Sequence, residues 1–317
     1  MDKHARIYVA GHRGMVGSAL VRELEAYGYC NLVMCTHDEL DLTDQHAVNR
    51  FFDDTRIEVV LLAAARVGGI LANASKPASF IYENLAIETN VIHAAYRAKV
   101  DRLVFFGSSC IYPKLCPQPI REEYLLSAPL EPSNDAYAIA KIAGLKMCDA
   151  YNRQYGTHYV SLMPTNLYGP NDNYDPQGSH VLPALIRKAH EAKLAHAPAL
   201  TVWGTGTPRR EFLHVDDLAA ATRFLLECEV GEGIYNVGVG EDLSIRELAD
   251  CVAHIVGYEG DLVFDASKPD GTPQKLLDVS RLTEMGWCAR IGLKEGIART
   301  YGDFTSRYRT LEAASNG

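Results

Sequence analysis

A short apolar segment that runs straight into a glycine-rich turn constrains the fold of this chain more than any other feature. Residues 6–10 (Arg-Ile-Tyr-Val-Ala) predict a short buried strand, and Gly11, Gly14 and Gly17 follow it at regular spacing. An apolar pattern typical of a helix comes next. A strand, a glycine turn and a helix in this order predict a loop that holds the diphosphate of a dinucleotide. The first glycine permits the tight turn, the second lets backbone N–H groups approach the phosphates, and the third lets the helix pack closely.

Predicted strands and helices alternate along the first half of the chain. This alternation predicts an α/β protein built on a doubly wound parallel Rossmann sheet, with the ligand crevice at the carboxyl ends of the strands. The further predicted elements are strands at 31–35, 58–63, 102–106 and 159–163, and helices at 77–99 and 135–155.

Turn-forming residues accumulate after Pro164 and predict passage into a second lobe. The segment 210–217 (Arg-Glu-Phe-Leu-His-Val-Asp-Asp) and the helix after it are expected to return to the first lobe. The chain has 317 residues, which is enough for one large core and a smaller lobe. The predicted domains are a dinucleotide-binding Rossmann domain (1–165 plus about 209–240) and a smaller, interleaved C-terminal substrate lobe (about 166–208 plus 241–317).

The composition narrows the class of protein. A net charge of −9 argues against a nucleic acid or an anionic membrane as partner. The longest apolar run, residues 59–65, is too short to span a bilayer. The N-terminus lacks the pattern of a signal peptide. Eight cysteines occur without a C-x-x-C pair or zinc-type spacing, so we expect reduced thiols in a cytoplasmic protein and no metal site.

Tyr137 and Lys141 form a Tyr-x-x-x-Lys pair within the predicted helix 135–155. Residues four apart share one helical face, so both side chains can reach the same cleft. A free tyrosine has a pKa of about 10, and a neighbouring ammonium stabilises the phenolate. We therefore expect Lys141 to lower the pKa of Tyr137 and make it a usable acid or base. Ser108, which follows the predicted strand 102–106, can hydrogen-bond a substrate oxygen together with Tyr137.

The second predicted strand indicates which dinucleotide is bound. Sites for NAD usually end this strand with an acid that holds the ribose 2′-hydroxyl. Here Cys35, Thr36 and His37 stand at the end of the strand, and no carboxylate precedes Asp38. A 2′-phosphate would meet no repulsion there, and Arg13 in the glycine loop can pair with it. This pattern favours NADP(H). The alternative is that Arg13 is only a solvated loop residue.

Taken together, the glycine loop, Ser108 and the Tyr-x-x-x-Lys pair resemble the extended short-chain dehydrogenase/reductase family that acts on nucleotide sugars. The resemblance spans nearly the whole chain and is sharpest for the epimerase/reductases of GDP-linked 4-keto-6-deoxy sugars. It rests on the stretches Gly11-His12-Arg13-Gly14-Met15-Val16-Gly17, Ala65-Arg66-Val67-Gly68-Gly69-Ile70, Gly107-Ser108-Ser109-Cys110-Ile111-Tyr112-Pro113-Lys114, Pro164-Thr165-Asn166-Leu167-Tyr168-Gly169-Pro170, 210–217 and Ser267-Lys268-Pro269-Asp270-Gly271-Thr272-Pro273.

The resemblance implies that Ser108, Tyr137 and Lys141 form a reductase triad, and that Cys110 and His180 form an epimerase acid–base pair. The chemistry agrees with these roles. A ketone at carbon 4 acidifies the protons on carbons 3 and 5, and inversion needs one group to remove a proton and another to return one from the opposite face. Thiols and imidazoles have ordinary pKa values of about 8.5 and 6.5, which suit this exchange. Hydride from the nicotinamide then reduces carbon 4 while Tyr137 gives the oxygen a proton.

The resemblance also implies a GDP-sugar substrate, a homodimer built from the helices at 77–99 and 135–155, and contacts to both ligands. The cofactor-binding residues are Gly11, His12, Arg13, Gly14, Met15, Val16, Gly17, His37, Asp41, Leu42, Ala64, Lys141, Pro164, Asn166, Leu167 and His180. The substrate-binding residues are Lys188, Trp203, Arg210 and Asp270, with Lys275 as a further candidate cation for the diphosphate. Trp203 is expected to cover the nucleotide, and Asp270 to accept from guanine.

Rival functions remain at this stage. Sugar-nucleotide 4,6-dehydratases carry Asp-Glu directly after their catalytic Thr or Ser, whereas Ser109 and Cys110 stand here, which argues against a dehydratase. An enzyme that only reduces, or that handles a dideoxy sugar such as the colitose precursor or a heptose, fits the same motifs. A catalytically inactive dinucleotide sensor is disfavoured because Ser108, Tyr137 and Lys141 are all present. A structural interaction protein fits least, given the polar groups that converge on one cleft.

Overall fold

The computed structural model describes residues 1–176, 178–228, 230, 232–268 and 270–315, with the side chains at 70, 71 and 309–315 excepted. Pro269 of the predicted motif 267–273 lies outside these residues. The strands are β1 (Ile7–Ala10), β2 (Leu32–Val33), β3 (Val59–Leu62), β4 (Arg102–Phe106), β5 (His158–Pro164), β6 (Asn166–Tyr168), β7 (Ala199–Trp203), β8 (Arg209–Arg210), β9 (Phe212–His214), β10 (Gly233–Val237), β11 (Leu243–Ser244), β12 (Asp261–Asp265) and β13 (Gln274–Lys275). The helices are α1 (Met15–Ala26), α2 (Gln45–Asp54), α3 (Ile70–Ser75), α4 (Pro77–Arg97), α5 (Asp135–Tyr155), α6 (Val181–Leu194), α7 (Val215–Glu227), α8 (Ile245–Val256), α9 (Ser280–Glu284) and α10 (Leu293–Ser315).

The central sheet confirms the predicted fold class. Within the described residues it has six strands in the order β2-β1-β3-β4-β5-β10, and every pairing between neighbours is parallel. All residues of β1 and β3 are buried, because helices cover both faces of a parallel sheet and each strand therefore reads as a continuous apolar run. Strand β2 is shorter than the predicted segment 31–35.

Helices pack on both faces of this sheet. On one face, α2, α4 and α5 form a cluster with Tyr8, Leu103 and Phe105 of the strands. On the other face, α1 and α7 enclose Val9 and Val104. The alternation of strand residues between the two clusters follows from the two-residue repeat of β structure.

A third hydrophobic cluster lies apart from the sheet and joins α6, α8 and α10 to β7 and β9. The chain leaves the sheet after β5, contributes α6 and β7 to this cluster, and returns to pair β10 with β5. Buried Glu211 ties the segments together, because its carboxylate accepts from the amides of Val239, Gly240 and Leu277 at 2.6, 2.7 and 3.0 Å. Among the described helices, none combines the length and the apolar character that crossing a membrane requires.

Candidate active site

The glycine loop after β1 has the geometry of a diphosphate cradle. Gly11 has a φ of +84° and its carbonyl accepts from the amide of Gly14 at 3.0 Å, so the turn is tight. A Cβ at Gly11 would lie 2.8 Å from the amide nitrogen of Ala64, and one at Gly17 would collide with the carbonyl of Gly11. Gly14 is the N-cap of α1, and because it has no side chain it makes no side-chain hydrogen bond to the amides of the first turn. The first amides of α1 therefore remain available to an anion, which fits a dinucleotide diphosphate.

His12, Met15 and Val16 lie in this loop and the first turn of α1, where the prediction puts them. The Nδ1 atom of His12 is buried without a hydrogen-bond partner among the described residues. A ligand that enters the cradle would meet this polar atom, which supports a binding role for the loop.

The loop after β2 brings the carboxylate of Glu39 within electrostatic reach of Arg13. Glu39 turns back so that its Oε2 atom accepts from the amide of Thr36 at 2.8 Å and from its hydroxyl at 2.9 Å. These bonds lower the pKa of Glu39, and the positive charge of Arg13 lowers it further. Arg13 is exposed, and its charge interacts with that of Glu39, a carboxylate that the prediction from the strand end did not include. The signal was present in the sequence as Thr-x-x-Glu, since such a spacing lets a side chain cap a turn.

The same loop carries three more of the predicted cofactor-binding residues, which differ in exposure: His37, Asp41 and Leu42. The His37 side chain is exposed, with its Nδ1 atom 4.0 Å from Oδ1 of Asp41. Leu42 is buried, and its carbonyl accepts from the Nδ2 atom of Asn90 at 3.0 Å. The exposed pair can reach a ligand at the rim of the sheet, whereas Leu42 supports the loop from beneath.

Strand β4 delivers Ser108 and Cys110 to the carboxyl edge of the sheet. Ser108 caps a 3₁₀ turn, because its Oγ atom accepts from the amide of Cys110 at 3.3 Å. Cys110 is buried at 8% exposure. Charges at Lys141 and Lys275 both act on its thiol, and the Cys110 charge acts on Tyr137. The structure therefore brings together residues that lie far apart in sequence.

The pKa of Tyr137 differs from the prediction. Burial raises it well above the ordinary value, and negative charge at Cys110 and Glu88 raises it further. The prediction was a lowered pKa; the ammonium of Lys141, 6.0 Å from the centroid of the Tyr137 ring, does not outweigh burial and these negative charges. The ring of Phe80 packs edge-on against Tyr137 with the centroids 6.3 Å apart, and this contact fixes the orientation of the phenol.

Glu88 is the partner of Lys141, and the sequence reasoning missed it. The Nζ atom of Lys141 lies 3.1 Å from Oε1 of Glu88, and both residues are 1% exposed. Glu88 stands on the buried face of α4 with Asn84 and Val91. A glutamate at a position where the helical repeat requires a buried residue was the available signal.

The proposed epimerase residues lie close to a common cation. Burial raises the pKa of Cys110, and the positive charge of Lys275 opposes that rise. His180, at the N-terminus of α6, has its pKa lowered by desolvation in the cleft and by Lys275. The thiol and the imidazole thus both depart from the ordinary values on which the prediction relied. The charges of Cys110 and Arg210 act on the pKa of Lys275 in opposite directions, after burial, which lowers it most.

The residues predicted to hold the nucleotide form two pairs of contacts. The ammonium of Lys188 lies 4.9 Å from the ring centroid of Trp203, which is 46% exposed. The Arg210 guanidinium donates to the carbonyl of Asp270 at 3.4 Å. The Asp270 carboxylate accepts from the amide and the hydroxyl of Thr205 at 2.8 and 2.9 Å, so part of its accepting capacity is already used.

The end of β5 and the start of β6 place Pro164, Asn166 and Leu167 at the carboxyl edge of the sheet. The Nδ2 atom of Asn166 donates to the carbonyl of Glu211 at 2.8 Å. This bond links the edge to the segment that carries Arg210. A predicted cofactor-binding residue, Asn166, is thereby connected to the strand segment next to Arg210.

Comparisons with known proteins agree with this geometry. GDP-L-fucose synthase of Escherichia coli (strain K12) is 57% identical over 305 residues, which cover 93% of this chain and 95% of that protein. GDP-L-fucose synthase 1 of Arabidopsis thaliana is 58% identical over 300 residues, which cover 95% of this chain and 93% of that protein. The solved structure of MlghC, a GDP-mannoheptose C4 reductase from Campylobacter jejuni with NADP bound, matches with a TM-score of 0.87 and 39% identity over 96% of this chain and 99% of that one.

The model of the NAD dependent epimerase/dehydratase family matches residues 7–238, a span that contains the glycine loop, Ser108, Tyr137, Lys141 and His180. On these grounds the chain belongs to the NAD dependent epimerase/dehydratase family.

Proposed function

We propose that this protein converts GDP-4-keto-6-deoxy-D-mannose into GDP-L-fucose, first by epimerisation at carbons 3 and 5 and then by reduction at carbon 4 with NADPH. The observation that carries the proposal is that two sets of groups lie close enough for their charges to act on one another. Ser108, Tyr137 and Lys141 suit reduction, and Cys110 and His180 suit proton exchange. The identity of 57–58% with proteins named GDP-L-fucose synthase supports the same substrate.

In the epimerisation, Cys110 removes a proton next to the substrate ketone and His180 returns one to the opposite face. Each inversion breaks one C–H bond and forms another, so it consumes no cofactor. The thiol must lose its own proton first, and the positive charge of Lys275 favours the thiolate against the effect of burial. Desolvation and the charge of Lys275 lower the pKa of His180, which makes its protonated imidazole a stronger acid toward the substrate carbon.

In the reduction, Tyr137 transfers its hydroxyl proton to the oxygen at carbon 4. The raised pKa of Tyr137 suits this direction, because a phenol that stays protonated is ready to act as an acid. Ser108 donates a hydrogen bond to the same oxygen and so orients the ketone. NADPH, when bound, supplies the hydride.

The GDP moiety is assigned to the opposite wall of the cleft. Arg210 is the candidate for bidentate contact with the diphosphate, since its guanidinium matches two phosphate oxygens. Trp203 presents an exposed ring on which a base can stack, and Lys188 stands over the same ring. Asp270 retains lone pairs for the donors of guanine beside its bonds to Thr205.

Three broader assignments belong to the proposal. The cofactor is NADP(H), supported by the exposed Arg13 beside the glycine loop and by the NADP-bound relative. The chain forms a homodimer through α4 and α5, supported by large side chains that these helices leave exposed, with Tyr82 at 68% and Ile139 at 47%. The protein acts in the cytoplasm. This assignment is supported by its eight cysteines, all of which the structure describes and all of which are free thiols.

The division into two interleaved lobes is part of the same proposal. A Rossmann domain of residues 1–165 plus about 209–240 would contain the central sheet, and residues from about 166–208 plus 241 onward would contain the third cluster. The cleft would then lie where the lobes meet.

The test is to incubate the protein with GDP-4-keto-6-deoxy-D-mannose and NADPH and to identify the product by NMR. We expect GDP-L-fucose. The Tyr137→Phe variant should lose NADPH oxidation while it still binds NADPH, and Tyr155→Phe, at the far end of the same helix, is the control. The Cys110→Ser variant should still oxidise some NADPH and release a sugar reduced at carbon 4 without inversion. A wild-type protein that leaves this ketone unchanged would refute the proposal.

A reductase for heptoses is a second candidate, since the NADP-bound relative named as a GDP-mannoheptose C4 reductase is 39% identical. The two fucose synthases share 57% and 58% with this chain, and this difference favours the deoxyhexose. The same NMR assay with a GDP-4-keto-heptose separates the two substrates.

A further inference from the structure

A buried ion pair lies directly behind the proposed proton donor. Glu88 of α4 and Lys141 of α5 are each 1% exposed, and their charged atoms are 3.1 Å apart. Burial raises the pKa of Glu88, and the ammonium of Lys141 opposes that rise. A buried charge is expensive without a partner, so each side chain fixes the other in place.

The surrounding residues make room for the carboxylate. A Cβ at Gly144 of α5 would lie 2.7 Å from Oε2 of Glu88 and 2.6 Å from the Phe105 ring. Only a glycine at this position leaves α4 and α5 close enough for the pair. The Lys141 ammonium lies 4.8 Å from the centroid of the Phe105 ring, which closes the pocket from the strand side. The pair therefore occupies a site shaped for it on three sides.

We propose that Glu88 is a positioning residue for the reduction: it anchors Lys141 and keeps the transferable proton on the hydroxyl of Tyr137. This inference rests on the proposed function, because it concerns the proton that Tyr137 gives to carbon 4. It goes beyond that function by assigning a role to a residue outside the expected triad.

The net charge of this buried site determines how easily Tyr137 loses its proton. With Glu88 ionised, Lys141 and Glu88 together carry no net charge, and loss of the proton from Tyr137 would leave a negative charge in buried surroundings. Without the carboxylate, the same loss would convert a positive site into a neutral one and would therefore be easier. The other titratable group that acts on Tyr137 from a neighbouring element is Cys110, whose negative charge also raises the pKa of Tyr137.

The experiment measures kcat for NADPH oxidation between pH 6 and 11 at saturating GDP-4-keto-6-deoxy-D-mannose. In the wild type, the rate should fall only at high pH. In Glu88→Gln, the midpoint of this alkaline fall should move to lower pH by about one unit, since removal of one charge at this range in a protein interior is worth about that much. Glu88→Asp keeps the charge and should keep the midpoint close to that of the wild type.

Glu122→Gln is the matched control. Glu122 is also a buried glutamate, but its carboxylate accepts from the amide of Asn236 at 2.9 Å and has no contact with Lys141 among the described residues. Its removal should leave the midpoint unchanged, even if stability falls. A shift in both variants would assign the effect to loss of any buried carboxylate and would overturn the inference.

Gly144→Ala gives a second route to the same answer if Glu88→Gln does not fold. The added Cβ displaces the Glu88 carboxylate but removes no charge from the chain. The midpoint of the alkaline fall in rate should again move to lower pH. Equal midpoints in the wild type and in folded Glu88→Gln or Gly144→Ala would overturn the inference. A wild type that exchanges no proton at carbons 3 and 5 and oxidises no NADPH would instead refute the proposed function.

Discussion

The amide of Gly69 donates a hydrogen bond of 2.9 Å to the carbonyl of Gly178, two residues before His180. A Cβ at Gly69 would lie 2.6 Å from the carbonyl oxygen of Ser179, so the two backbones are in direct contact. Gly69 is itself held by Asn73, whose Nδ2 atom donates to its carbonyl at 3.0 Å. The loop that follows β3, which begins beside the glycine loop at Ala64, thus supports the segment that presents the proposed epimerase acid.

Gly69→Ala should therefore impair epimerisation more than cofactor binding. The methyl group pushes the His180 segment away, and a displacement of about 1 Å at a catalytic group can cost roughly a hundredfold in rate. The measurement is solvent deuterium exchange at carbons 3 and 5 without NADPH, together with a titration of NADPH binding. Gly302→Ala is the control, because a Cβ there meets open space. Exchange at the wild-type rate in Gly69→Ala would show that the contact does not position His180.

Lys275→Met should shift the pH dependence of the exchange. The positive charge of Lys275 lowers the pKa of Cys110 against the effect of burial, so its loss raises that pKa and the thiolate forms only at higher pH. The rise of exchange with pH should move upward by about one unit. Lys146→Met, on the exposed face of α5, should leave the curve in place. If Lys275→Met raises the KM for the sugar nucleotide without a shift, Lys275 serves the diphosphate alone.

Arg13 and Glu39 should act in opposite directions on the choice of cofactor. Removal of a charge-assisted contact to the 2′-phosphate by Arg13→Ala should weaken NADPH binding about ten- to a hundredfold and leave NADH binding nearly unchanged. Glu39→Gln removes a negative charge close to Arg13 and should tighten NADPH binding several-fold. Titration of both dinucleotides by fluorescence measures these changes. Equal losses for NADPH and NADH in Arg13→Ala would mean that Arg13 supports the loop and does not read the phosphate.

Asp172 should make the stability of the protein depend on pH. Burial raises its pKa from 3.8 to about 7, and within the described residues its Oδ2 atom has no hydrogen-bond partner. Because the folded protein binds this proton more tightly than the unfolded chain, the stabilisation is complete below about pH 4 and is lost as the pH rises through 7. Asp172→Asn should raise the free energy of unfolding at pH 8 by roughly 4 kcal/mol relative to the wild type.

Urea denaturation at pH 5 and pH 8 measures this effect. The gap between the two pH values should be smaller in Asp172→Asn than in the wild type, whereas exposed Asp54→Asn should leave the gap as it is. An unchanged gap in Asp172→Asn would show that the carboxyl of Asp172 is ionised and solvated throughout this range.

The local sequence pattern was sufficient to predict much of the fold. The predicted strand 102–106 and helix 135–155 coincide with β4 and α5, because an apolar run and a helical repeat are properties of contiguous residues. The pair Tyr137 and Lys141 lies on one helical face for the same reason. Strand β2 was overestimated, since only Leu32 and Val33 have a partner strand to pair with.

The pKa values of the site residues could not be predicted from the local sequence pattern. The prediction for the pKa of Tyr137 used Lys141, four residues away, but the outcome depends on Glu88, which reaches the site from another helix. The same holds for Cys110, whose thiol responds to Lys275 near the other end of the chain. A pKa reports burial and charge in three dimensions, and neither is written in the spacing of a motif.

Strand β10 completes the edge of the central sheet beside β5, although a long stretch of chain separates the two. During synthesis β5 leaves the ribosome first, and its outer edge has no neighbour until residue 237 has emerged. An unpaired edge of this kind is a template for contact with other chains. The stretch of chain inserted between β5 and β10 therefore sets how long each new molecule is exposed to aggregation while it is being made.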